Sequence, residues 1–442
     1  MSNSSFNPIF NYAQAGAGLT LSNGTIAVIT NYVGNTVFRQ SAASSLVGNS
    51  AGTTGNVADI TLGTGLTFTG TTLAIGTSGV TAGTYGNGTN KVAQVVVDAV
   101  GRITSASTLS ISFDGNAFVN KFRNATFDIW QRGTTGGAIT PSTVTYTADG
   151  WILHSVTAGV SWSQGTGRLP TSNSLKITGV SGVTQNPAIA WQRIESNVVG
   201  GAFDSVSITW QAKIFNSTGA DFTPMLYVGA GTAAGDTTGY PSVVLGTTNL
   251  QLCPNGVWTQ VAYTLTGVGT MHHGCEFIAY APGSALDSGT KSINVTELDV
   301  RATPGVTTGL NSSPPTPELR PIQTELAFCQ RYLPAFNSTV ANQPISSGMC
   351  ISTTAARTLF QFPVNARIAP TGITASGTGN FAVYNSAASL TNITAMSFNK
   401  SSTTSGLLAI TVASGLVAGN ATTLMTGTSV STSQILFTGA EL

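Results

Sequence analysis

The chain has 442 residues, room for about three domains, and only 7% of them are Asp, Glu, Lys or Arg, against about 25% in ordinary soluble proteins. So little charge disperses an isolated monomer poorly, which points to surface covered by other chains or wetted by Ser, Thr and Asn. A net charge of +1 without a basic stripe excludes nucleic-acid binding driven by phosphate neutralisation, and no apolar run approaches the ~20 residues of a membrane span.

Charge divides the sequence. Residues 1–112 carry only Arg39, Asp59, Lys91, Asp98 and Arg102, and residues 335–442 only Arg357, Arg367, Lys400 and Glu441. The other charges, and all the tryptophans from Trp130 to Trp258, lie between. The centre therefore reads as an ordinary globular domain with two flanking regions of different physics. Within the first region, Gly16 to Val28 aligns without a gap on Gly63 to Ile75, with six of thirteen positions identical. Each copy alternates, turns at Gly and alternates again, the pattern of a short β-hairpin. Such a unit buries almost nothing alone and is stable only when stacked or wound around partner chains, an arrangement that also covers its strand edges.

A second segment follows: Val80-Thr81-Ala82-Gly83-Thr84-Tyr85-Gly86, then Lys91 to Asp98, then Gly101-Arg102-Ile103-Thr104-Ser105-Ala106. Asp98-Ala99-Val100-Gly101 is expected to be its tight turn, with Arg102 opening the return strand. This stretch resembles the short β repeat of tailed-bacteriophage fibre proteins, a G-T-Y-G turn followed by V-D-x-x-G-R-[IV]-T-S-A.

From 113 to about 310 the strands have period 2. Val206, Ile208, Trp210, Ala212 and Ile214 alternate with Ser207, Thr209, Gln211 and Lys213, and Val261, Tyr263 and Leu265 repeat the pattern. One face packs and the other is wet, as in antiparallel sandwiches, and a jelly-roll-type β-sandwich is expected. Asn124 to Gly133, Tyr146 to Trp151 and Trp191 to Glu195 also resemble the carbohydrate-binding-like jelly roll of phage tail proteins.

Four prolines between Pro314 and Pro321 make a stiff connector. Ile322, Leu326, Cys329 and Leu333 then fall on one helical face. Pro321 opens the helix and Pro334 closes it. Three turns do not persist alone, so this face is expected to pack on the sandwich or on symmetry mates around an axis. Arg320 to Tyr332, read as R-P-x-x-x-E-L-A-x-C-Q-R-Y, again resembles phage fibre proteins. Beyond it the chain returns to charge-poor β sequence, with Phe360, Phe362 and Val364 alternating and Gln434 to Thr438 near the end.

Little catalytic chemistry is visible. Glycoside hydrolysis needs two carboxylates about 5–10 Å apart; Asp128 and Asp149, beside Trp130 and Trp151, are the nearest candidates and read as turn and strand-end residues. His272-His273-Gly274-Cys275 is the one metal-like run, and it lacks a second ligand pair. No phosphate loop occurs, and the G-x-S-x-G run from Gly48 to Gly52 has no helical pattern after it to form a nucleophile elbow. Cys253, Cys275, Cys329 and Cys350 are far apart without C-x-x-C spacing, and are expected to be reduced and buried. Met1 to Phe6 carries neither the basic nor the apolar part of a secretory signal.

The expected molecule is therefore all-β and non-catalytic, with no cofactor and no metal. Residues 1–50 form a virion-attachment segment and first β repeat, and 51–112 a β-repeat shaft. Residues 113–310 form the jelly-roll sandwich, 311–334 the Pro-rich connector and short helix, and 335–442 a C-terminal β-sandwich tip. The resemblance implies a homotrimer assembled in the host bacterial cytoplasm and carried on the virion. It implies an N-terminus on a tail, baseplate or portal-proximal protein, and a host surface polysaccharide or lipopolysaccharide as receptor. Head or neck fibre, depolymerase tailspike and bacterial adhesin are the alternatives. Exposed indoles stack on sugars, which makes Trp130, Trp151, Trp162 and Trp191 glycan-binding candidates, with Phe381, Tyr384 and Asn385 at the tip. Ile322, Leu326, Cys329 and Leu333 are the candidates for packing around a trimer axis.

Overall fold

The computed structural model describes residues 19–22, 25–28, 41–55, 57–87, 91–99, 101–110, 119–232, 242–384, 389–428 and 432–442. The chain divides into two compact units, Met1–Ser112 and Phe113–Leu442. The first is built of two-stranded antiparallel hairpins, and the internal repeat is visible in their register. Leu19–Ser22 pairs with Thr25–Val28, and Leu66–Thr69 with Thr72–Ile75. Leu19 lies opposite Val28 as Leu66 lies opposite Ile75. Gly70 makes the second turn at φ 62°, a conformation that favours a residue without Cβ.

The longest hairpin of this unit pairs Lys91–Val97 with Ile103–Ser110. Its turn is locked by the residues the motif contains. Gly101 N–H donates to Asp98 O at 3.0 Å with φ 84°, Arg102 N–H donates to Asp98 Oδ1 at 2.9 Å, and the Arg102 guanidinium grips Oδ2. All seven residues of Lys91–Val97 are exposed within one chain, Val92, Val95, Val96 and Val97 among them.

The second unit opens with a sandwich of two antiparallel sheets. One runs, in spatial order, Thr145–Tyr146, Ile152–His154, Ala188–Ile194, Cys275–Tyr280, Met225–Ala230, Ser242–Asn249. The other runs Gly309–Leu310, Trp258–Leu265, Ile208–Ser217, Ser292–Ala302, Asn173–Thr178, Ser161–Thr166, Thr135–Gly136. Ile208, Trp210, Ala212 and Ile214 enter the core on the expected parity, with Trp151, Phe122, Phe127, Phe203 and Phe277. All four cysteines are buried and unpaired.

The proline-rich connector lies over part of the second sheet's outer face. Gln211 Nε2 donates to Pro315 O at 2.6 Å, Arg301 Nη2 to Thr316 O at 3.0 Å, and Glu318 N–H to Asp299 Oδ2 at 2.8 Å. It delivers the Ile322–Gln330 helix onto the sandwich. Its buried side is not the predicted stripe. Glu325 and Cys329 are buried, Leu326 is half-buried and Ile322 is 53% exposed. Leu333 lies past the helix end and packs with Ala335 and Leu436 of its own chain. Cys329 and Leu333 are thus spent inside the protomer and cannot line a trimer axis. The reason is electrostatic: Glu325 Oε1 accepts from Arg320 Nη1 at 2.9 Å, and Oε2 accepts the Asn124 N–H at 2.6 Å. A hydrophobic pattern cannot foresee a buried carboxylate satisfied by tertiary donors.

The last region is a closed six-stranded barrel, ordered Pro344–Cys350, Ala355–Gln361, Ser405–Val412, Leu390–Ser401, Phe381–Tyr384, Ala421–Thr426. A three-stranded sheet of Ala335–Ser338, Ser433–Thr438 and Gly372–Ala375 accompanies it. The barrel removes the sheet edges that an open sandwich leaves. Phe360 stacks on Phe437 at 5.3 Å in its core. Polar groups tie it to the sandwich. Gln434 Nε2 donates to Gln131 O at 2.6 Å, Arg132 pairs with Glu441, and Tyr146 Oη donates to Leu442 O.

Candidate functional site

The connector covers only half of the seven-stranded sheet's outer face. Under it Thr209, Gln211, Asp299 and Arg301 are buried, whereas Lys213 and Phe215 further along Ile208–Ser217, and Asn294 on Ser292–Ala302, are partly exposed. The open half holds a groove of about 550 Å³, lined by Ser163, Lys176, Phe215, Trp258, Asn294 and their neighbours. Strand register places these side chains in a line: Ser163 lies opposite Lys176, Lys176 opposite Asn294, Asn294 opposite Phe215, and Phe215 opposite Trp258. At about 4.8 Å per strand the line is roughly 19 Å long.

One end of the line is aromatic. The Phe215 and Trp258 rings are 5.4 Å apart and inclined at 46°. Both are partly exposed, and their parity, opposite to that of Ile214 and Val261, turns them away from the core. The other end is polar. Asn294 Nδ2 donates to Ser174 Oγ at 2.9 Å. Gly165 forms the floor: a Cβ there would stand 2.5 Å from Asn294 Nδ2 and 2.8 Å from Ser174 Oγ, so a side chain would crowd the groove. In the adjacent row Lys213 Nζ donates to Gln260 Oε1 at 2.8 Å, and Gln260 Nε2 to Gln211 Oε1 at 2.8 Å, which links the groove to the connector. Burial lowers the Lys213 pKa, Glu297 opposes that shift and Arg168 adds to it.

Most residues singled out from sequence lie elsewhere. Trp151 is fully buried against Phe122 and Phe127, its Nε1–H given to Asn124 O at 2.8 Å, and Trp162 is in the same core. Phe381 is core of the barrel. None of these three can meet a ligand, because an alternating strand puts its large rings inward when that face is the packed one. Trp130 stacks on Trp162 at 5.8 Å and 17°, with its Nε1–H on Phe127 O. Trp191 is on the outer face of the six-stranded sheet; its Nε1–H donates to Glu276 Oε2 at 3.0 Å and the Arg193 guanidinium lies 4.7 Å over the ring. Tyr384 is exposed at a barrel strand end, and Asn385 is outside the described residues.

The carboxylates and histidines do not build a reaction centre. Asp128 accepts Asn173 Nδ2 at 2.7 Å, and burial pushes Asp149 up to about 7 beside Arg132 at 3.6 Å. His272 Nδ1 is 2.5 Å from Asp204 Oδ2, while Cys275 faces the core. Among the described residues no group of three His, Cys, Asp or Glu is placed to hold a metal ion. A second cavity, about 430 Å³, separates Asn120–Arg123 and Glu195–Val198 from Phe328, Arg331 and Tyr332. Its three arginines are committed to the fold: Arg331 to Glu195 at 2.8 Å, Arg320 to Glu325, and Arg123 to the Arg193 carbonyl.

No protein-family model and no curated protein matches the sequence. Several solved β structures are similar to part of the chain. The CBM22-1 xylan-binding domain from Paenibacillus barcinonensis aligns at 13% identity over 38% of this chain and 100% of its own, with a TM-score of 0.25. A cyclase from Fischerella sp. TAU aligns at 15% over 43% of this chain and 100% of its own, with a TM-score of 0.27. A carbohydrate-binding module of the β-sandwich superfamily aligns at 14% over 48% of this chain and 72% of its own, with a TM-score of 0.26.

Proposed function

We propose that the chain is a non-catalytic fibre protein of a tailed-phage virion, which holds the particle to its host by multivalent glycan binding. The observation that carries this reading is the line from Ser163 to Trp258: two aromatic rings at one end, amide and hydroxyl groups at the other, on an open sheet face. Apolar sugar faces stack on such rings, and hydroxyls bond the polar end. None of the described residues lining the groove is Asp or Glu, whereas glycosidic cleavage uses a carboxylate pair.

The virion role is supported by the fibre-like segments at 80–106 and 320–332 and by the hairpin at 91–110. An isolated hairpin is marginal in water, and this one exposes Val92, Val95, Val96, Val97, Ile103 and Leu109. Further copies of the chain wound around the same axis would cover them. A homotrimer accounts for the low charge and for the chemistry of adhesion together. One shallow sugar site binds at about millimolar, roughly −4 kcal/mol, and linked copies gain a factor of about 10²–10⁴. The experiment is electrophoresis of the full chain through gels loaded with bacterial surface polysaccharides, beside light scattering of the same sample. Retardation relieved by free oligosaccharide, with a mass near three times 45.1 kDa, is the expected result. Unchanged mobility in every gel would overturn the glycan reading, and a monomeric mass would overturn the fibre.

A further inference from the structure

The charge of the groove narrows what fills it. In a chain with only 17 Lys and Arg, one lysine, Lys176, lines the groove and a second, Lys213, stands partly exposed beside it on the same outer face. Lys176 occupies the central row between Ser163 and Asn294 and makes no ion pair among the described residues. Lys213 occupies the next row, opposite Thr296 and Gln260. Its ammonium is held by the Gln260 amide oxygen, a neutral acceptor, and makes no ion pair among the described residues. The nearby carboxylate, Glu297, is already gripped by Arg168 through bonds of 2.9 and 3.3 Å. Two strands and two residues of offset put the lysines on the order of 12 Å apart at Cα.

We propose that the groove takes an acidic glycan, a chain whose repeating unit carries a carboxylate, with Lys176 and Lys213 facing the carboxylates while the uncharged ring faces lie on Trp258 and Phe215. The inference rests on the glycan reading of the same groove and adds its ligand class. A neutral polysaccharide offers the two ammonium groups only uncharged oxygen acceptors against the cost of their desolvation. An acidic one gains two charge-assisted contacts. The fixed distance between the lysines favours a polymer over a single sugar, since one residue reaches only one of them.

The test uses the full chain and three probes, polygalacturonate, alginate and hyaluronan, each beside its carboxyl-reduced form, with binding measured by calorimetry. At least one acidic polymer is expected to bind about tenfold or more tightly than its reduced form, with affinity falling as salt rises. Lys176→Gln and Lys213→Gln should each weaken that binding about three- to fivefold and flatten the salt dependence, with unfolding midpoint and assembly mass unchanged. Reduced polymers that bind as tightly as the acidic ones, in a manner lost in Trp258→Ala, would overturn the acidic class and leave the glycan groove standing. Absence of binding to all six polymers would overturn the acidic class, while the retardation gels decide the glycan reading separately. A fall in assembly mass in either lysine variant would show that a second copy covers the face, and would likewise overturn the proposal.

Discussion

Removal of Glu325 tests how the connector and helix are held to the sandwich. Its side chain is 5% exposed and that of its partner Arg320 is 4% exposed. One carboxylate oxygen accepts Arg320 Nη1 at 2.9 Å and the other accepts the Asn124 N–H at 2.6 Å. Arg320 also donates to the carbonyls of Phe122, at 2.9 Å, and Asn120. One carboxylate therefore joins the helix, the connector and the first segment of the sandwich. Loss of one partner from a buried pair costs about 3–5 kcal/mol, and Glu318, 3.6 Å from Arg320 Nη2, compensates only part of the charge left behind. Glu325→Ala should lower the unfolding free energy by that amount in urea titrations followed by circular dichroism. Glu325→Gln, which keeps an acceptor for Asn124 but not the charge, should fall between. A loss below about 1 kcal/mol, typical of a solvent-exposed ion pair, would refute the assignment of Glu325 as a buried tie.

Three further outcomes follow from particular contacts. Burial raises the Asp149 pKa from 3.8 to about 7, so the folded state favours its protonated form. That contribution is complete below about pH 3.8 and is lost as pH rises through 7. The unfolding midpoint should fall between about pH 4 and 7, and Asp149→Asn should flatten that slope; an unaltered slope would contradict it. Gly136→Ala would set a methyl 2.3 Å from the Trp162 indole, which is stacked on Trp130. Overpacking of this kind costs about 1–3 kcal/mol, visible as a lower melting temperature and altered near-ultraviolet dichroism. Val95→Asp, in the exposed hairpin, should reduce the assembly mass measured by light scattering, and an unchanged mass would remove that hairpin from the interface between copies.

Local patterns carried much of the fold. Alternation from Val206 onwards separated the buried Ile208, Trp210, Ala212 and Ile214 from the outer face, and the aligned repeats fold into hairpins of one register. The same parity, followed one residue beyond Ile214 and read back from Val261, turns Phe215 and Trp258 outward. Residue type alone does not carry that signal; the face each ring occupies does. Other features depend on chain segments distant in sequence. Trp151 and Trp162 are buried because Phe127 and Trp130 fold back over them. The groove is bounded because Pro315 and Thr316 cover Gln211 and Arg301, and no local periodicity encodes which half of a sheet a connector crosses. Barrel closure likewise rests on pairing of Pro344–Cys350 with Ala421–Thr426.

The most direct test of the central claim is a binding isotherm for the retained polysaccharide with Trp258→Ala beside Trp191→Ala. An indole face covering roughly 60 Å² of apolar surface at ~25 cal/mol per Å² contributes about 1.5 kcal/mol, or about tenfold in Kd per site. Trp258→Ala is expected to show that loss, multiplied where several copies engage one polymer, and Trp191→Ala to keep wild-type affinity. Unchanged binding in Trp258→Ala, or loss confined to Trp191→Ala, would place the glycan on another face and contradict the assignment of the groove.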